Sequence, residues 1–75
     1  MAILSGILVL AKTDDTTDED NKKIFGAFVR LKTKSGTYEN AFFSYDKKDR
    51  DRMFATMKRF RSVDTEDRLE WKLVK

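Results

Sequence analysis

The sequence predicts a small single-domain α+β fold, an antiparallel four-stranded sheet with one helix packed on it, in the order β-β-β-α-β. Three patterns point to it. An apolar run opens the chain, two alternating segments flank Ser35-Gly36, and apolar residues at helical spacing follow Asp46. At 75 residues the chain is one domain.

Residues 2–11 are apolar on both parities, with Ile3, Ile7 and Val9 on one face and Leu4, Leu8 and Leu10 on the other. A strand covered on both faces reads this way, so the segment is expected centrally in the sheet. Thr13 to Asn21 reads as a polar, acid-rich loop. From 24 to 33, Phe25, Ala27, Val29 and Leu31 share one face, and Phe28, Arg30 and Lys32 share the other. Ser35-Gly36 supplies a two-residue turn, and residues 37–45 return as the next strand. Pairing Lys34 with Thr37 sets Val29 opposite Phe42, Phe28 opposite Phe43 and Lys32 opposite Glu39, pairs that stabilise a hairpin.

Asp46 reads as a helix N-cap, with Asp49 completing a variant capping box. Met53, Met57 and Phe60 then share one face, with Phe54 at its flank. Lys58, Arg59 and Arg61 fall in a last turn, where cations favour the helix dipole. The helix is expected over 47–61. Residues 62–68 read as a polar connection. Leu69, Trp71 and Leu73 alternate with Glu70 and Lys72, which predicts a closing strand over 69–74, placed beside the first.

The chain has no histidine, cysteine or proline. That removes the side chain that titrates near neutral pH, the ready thiolate nucleophile and the soft metal ligand. The carboxylate pairs Asp14/Asp15, Asp18/Asp20 and Glu66/Asp67 sit in polar stretches with nothing apolar to raise a pKa. Gly6, Gly26 and Gly36 are isolated, so no phosphate loop is present. The acidic stretch departs from an EF-hand loop, with Glu19 where glycine belongs and Phe25 where the bidentate acid belongs. No catalytic residue, metal ligand or cofactor is expected, and the protein reads as non-enzymatic. The absence of cysteine fits a reducing compartment, so a cytoplasmic protein is expected. The apolar N-terminus lacks a basic flank and falls far short of the ~20 residues of a membrane span.

Net charge is +3, but the charges are segregated. Residues 14–20 hold five acids, residues 22–34 five bases, and residues 47–61 seven bases against two acids. Such segregation sets up strong local fields. Lys48, Arg52 and Arg59 form a basic stripe along the helix, with Lys47 and Lys58 beside them. If the helix covers the Phe25/Val29/Leu31/Phe42 face, then Phe28, Phe43 and Tyr45 remain on the other face near Arg30 and Lys32.

Surplus aromatics and arginines suit a protein interface. The leading expectation is therefore a small binding protein of inhibitor or adaptor type, of the sort that phages encode, which docks on another protein. Its contact residues would be Phe28, Tyr38, Phe43, Tyr45, Lys48, Arg52 and Arg59. The alternative is nucleic-acid binding, with bases stacked on the rings and phosphates held by Arg30, Lys32, Lys47 and Lys58. A homodimer formed through sheet edges or faces is compatible with either, and would relieve the small core.

Overall fold

The computed structural model describes residues 3–66 and 70–74. Its elements are β1 (Ile3–Thr17), β2 (Lys23–Thr33), β3 (Gly36–Ser44), α1 (Lys47–Met57), β4 (Ser62–Asp64) and β5 (Lys72–Val74). The strands form one antiparallel sheet in the order β4-β1-β2-β3-β5. The expected α+β class and antiparallel sheet hold. The strand count does not, because Ser62–Asp64 makes a fifth strand within the expected polar connection. The closing strand pairs with β3, not with β1 as expected. Ala2 and Leu69, the expected first residues of two strands, lie outside the described residues.

β1 runs six residues past its expected end, through most of the presumed acidic loop. Its ladder with β2 continues to Thr17↔Lys23, leaving a turn over residues 18–22. Three threonines, at 13, 16 and 17, favour extended backbone there. In the turn, Asp18 Oδ1 accepts the N–H groups of Asp20 and Lys22, and Asn21 takes φ 61°. Asparagine tolerates that left-handed conformation better than most residues.

Register shifts between Leu8 and Leu10, where Val9 is an extra residue with no partner on β2. This bulge inverts which parity of β1 faces the helix. Before it, Leu8 lies opposite Leu31; after it, Ala11 lies opposite Val29 and Asp15 opposite Phe25. Leu8 and Ala11 both pack on the core. Among the described residues only one sheet face is covered, so the expectation that β1 is buried on both faces fails. Ile3, Ile7 and Val9 stay 56%, 69% and 52% exposed.

The β2–β3 hairpin closes at Thr33↔Gly36, so Lys34 and Ser35 form its turn and every pair moves by two residues from the expected register. Arg30 now faces Glu39, Phe28 faces Ala41, and Val29 faces Asn40. A two-residue shift preserves the faces. Phe28 and Phe43 become diagonal neighbours and still meet. Gly36 adopts φ +137°, a conformation that side chains resist.

Asp46 caps α1, accepting the Lys48 N–H at 2.9 Å. The reciprocal half of the expected capping box is absent, since Ser44 Oγ takes the Asp46 N–H. The helix stops at Met57, short of the expected Arg61, and its last turn carries no basic residue. Arg61 Nη1 instead donates to the carbonyls of Lys58 and Phe60, satisfying groups the helix end leaves free.

The buried stripe of α1 is Arg50, Phe54 and Met57, rotated from the expected Met53, Met57 and Phe60. Met53 is 36% exposed. The core is Ala27, Val29 and Met57, ringed by Leu8, Ala11, Phe42, Phe54, Phe60 and Trp71. Leu31 and Val63 are also fully buried.

Candidate functional site

α1 packs on the Phe25/Val29/Leu31/Phe42 side of the sheet, so the opposite side is open. On β2 that open side carries Gly26, Phe28, Arg30 and Lys32, and on β3 it carries Glu39, Ala41 and Phe43. Tyr45 follows β3 with the same parity. On β1 the open side carries Ile3, Ile7 and Val9 and, past the bulge, Leu10, Lys12 and Asp14.

Phe28 and Phe43 meet edge to face, with ring centroids 5.5 Å apart and an 80° interplanar angle. This arrangement satisfies the ring quadrupoles. Gly26 makes room for the pair: a Cβ there would stand 3.1 Å from both rings and from the Asp14 carbonyl. Lys12 Nζ sits 5.6 Å over the Phe28 ring. Phe43 nevertheless stays 57% exposed and Tyr45 63% exposed.

Arg30 and Glu39 form an ion pair on this face. Arg30 Nη2 meets Glu39 Oε2 at 2.8 Å, while its Nε is buried without a partner. Lys72 lies opposite Glu39 from β5. The Tyr45 hydroxyl donates to Asp18 Oδ2 at 2.9 Å, tying the end of β3 to the 18–22 turn. Asp18 is held below its ordinary pKa, chiefly by the Lys22 N–H, with Tyr45 and Asp20 adding to it against a smaller desolvation effect. The same bond raises the Tyr45 pKa, because the phenol must stay protonated to donate.

Arg50, 4% exposed, fixes α1 from beneath. Its Nη1 reaches Asp15 Oδ1 at 2.8 Å and the Gly26 carbonyl at 3.1 Å, and its Nε reaches Asp51 Oδ1 at 2.7 Å. The guanidinium lies 5.4 Å from the Phe25 ring centroid. Asp15 and then Asp51 raise its pKa, keeping it charged. The Gly26 contact links the helix directly to the strand beneath the aromatic pair.

The residues singled out in the sequence divide among three places. Phe28, Phe43, Arg30, Lys32 and Tyr45 share the open side. Tyr38 lies opposite Leu31 and Leu73, on the helix side of the sheet. Lys47, Lys48, Arg52, Lys58 and Arg59 are exposed on or just beyond α1, with the sheet between them and the aromatic pair. Lys58 Nζ sits 4.8 Å over the Phe54 ring. Ile7 and Val9, expected to be buried, lie on the open face instead; an apolar run does not reveal how many layers cover it. Among the described residues, no cluster of three or more His, Cys, Asp or Glu side chains forms a metal site, and no helix is long and apolar enough to cross a membrane.

No protein-family model matches the chain, and no curated protein or solved structure matches it either.

Proposed function

We propose that this protein is a non-enzymatic binding protein, of inhibitor or adaptor type, that docks the open face of its sheet on a partner protein. The observation that supports this most is the set of exposed apolar side chains on that face: Phe43 and Tyr45 toward one end, Ile7 and Val9 on β1 toward the other. Exposed aromatic and aliphatic side chains set among polar groups on one face suit an interaction surface. Ile7, Val9 and Phe43 stand on strands and Tyr45 is tied to Asp18, so little ordering entropy opposes binding.

Nucleic acid is the weaker reading. A single-strand binder needs aromatic rings and free cations on one surface. Here the basic stripe of α1 lies on the other side of the sheet from Phe28 and Phe43. On the open side, Arg30 is engaged by Glu39 and Lys12 lies over Phe28.

Two parallel assays test the proposal. In the first, anisotropy of labelled single-stranded DNA, duplex DNA and RNA is followed at low and physiological salt. The expected result is no micromolar binding at physiological salt; tight binding that falls steeply with salt would favour nucleic acid. In the second, tagged protein captures partners from the cells that produce it. One protein should be retained by the wild type and by Arg52→Glu/Arg59→Glu, but lost with Phe43→Asp. Loss with the helix variant alone would move the interface to α1.

A further inference from the structure

We propose that the outer edge of β1 pairs antiparallel with the same edge of a second copy, about a two-fold axis at Thr13. This edge is distinct from the open face, and the inference does not depend on the partner reading.

The sheet leaves that edge unfinished. β4 covers β1 only at Ile3–Ser5, and the Arg61 carbonyl then takes the Gly6 N–H at 2.8 Å. Among the described residues, none pairs with the outer edge of β1 beyond this point. Unpaired strand edges are templates for another strand.

Two backbone hydrogen bonds fix which backbone groups point outward. The Gly6 N–H points away from β2, toward Arg61. At the other end, the Asp18 N–H points toward the Lys22 carbonyl on the β2 side. Antiparallel strands alternate direction residue by residue, and the Val9 bulge reconciles the two ends. Ala11, Thr13 and Asp15 therefore present their N–H and C=O groups on the open edge, while Lys12 and Asp14 turn theirs toward β2.

Charge then selects the register. Antiparallel self-pairing must be symmetric about one residue, because outward-pointing residues pair only with outward-pointing ones. Centred on Lys12, it sets Lys12 against its own copy. Centred on Asp14 or Asp15, it sets like carboxylates together. Centred on Ala11, it runs Thr13 into the bulge at Val9. Centred on Thr13, it places Thr13 against Thr13, Ala11 against Asp15, and Lys12 against Asp14 twice. Threonine pairs and opposite charges directly across a ladder are favourable, and like charges there are not. Lys12 and Asp14 both lie on the open side of the sheet, so the two open faces would lie side by side on one continuous sheet.

The test is sedimentation of the intact chain, with circular dichroism confirming the fold of each variant. Wild type should dimerise at high micromolar concentration. Across the pair, Lys12→Asp sets carboxylate against carboxylate at both contacts between positions 12 and 14, and Asp14→Lys sets lysine against lysine there; each should weaken self-association about tenfold or more. Mixed one to one, the two variants should form a heterodimer. Phe43→Asp should leave the dimer intact, and its loss there would place the contact on the open face instead. A wild type that stays monomeric overturns the proposal. So does a dimer indifferent to both charge variants, or a mixture that stays monomeric.

Discussion

Two side chains, Arg50 and Tyr45, hold distant segments of the chain together through polar contacts. Arg50 is one of seven bases in residues 47–61, and nothing in composition marks it as the buried one. Its burial follows from position: Phe54 and Met57 lie four and seven residues on, so all three share a helix face. It is tolerated there because Asp15, Asp51 and the Gly26 carbonyl accept its protons. Tyr45 is exposed, yet it links β3 to the 18–22 turn through Asp18. That link has a defined pH window. Asp18 has a folded pKa below its ordinary 3.8, so its contribution is present above that value and is lost as pH falls through the folded one. Tyr45 has a folded pKa above its ordinary 10.0, so its contribution is present below that value and fades as pH rises through the folded one. In a Tyr38→Phe background Tyr45 is the one tyrosine, and its ultraviolet titration should fall above 10.0. Adding Asp18→Asn should bring it back toward the ordinary value. A titration unmoved by Asp18→Asn would mean the bond does not form in solution.

At the scale of elements, the rotation of α1 separates two methionines of equal size. Met57 is 1% exposed and Met53 36%. Met57→Ala should cost about 2–5 kcal/mol in urea unfolding, the range for emptying a buried site. Met53→Ala should cost about 1 kcal/mol or less, as surface changes do. Equal losses would contradict this rotation. The helix start was legible because Asp46 is a capping residue ahead of a periodic segment. The helix face was not, because a rule that counts apolar residues passes over Arg50. The faces of β2 and β3 were legible despite the wrong register, since slipping by two residues keeps the period-two pattern. β4 was hidden because three residues with one apolar side chain, Val63, give no periodicity to read. The bulge at Val9 lies inside an apolar run, where inverting parity leaves no trace in hydropathy. The aromatic cluster was legible only as a conditional: Phe28, Phe43 and Tyr45 remain together provided the helix takes the other face.

At the scale of the molecule, the helix and five strands of the described residues belong to a body of 40 × 22 × 20 Å, elongated in keeping with the long β1–β2 hairpin. So small a domain covers one sheet face and leaves the other to solvent or to a partner. Aromatic and aliphatic side chains on that open face, with basic residues on the far side of the helix, give the protein two surfaces of different chemistry. The most direct measurement is site-specific photo-crosslinking in the cells that produce the protein. A benzophenone side chain replaces Phe43 in one variant and Arg52 in another. The expected result is a single protein adduct of defined mass from position 43 and none from position 52. An adduct to nucleic acid from position 43, or a protein adduct from position 52 alone, would contradict docking through the open sheet face.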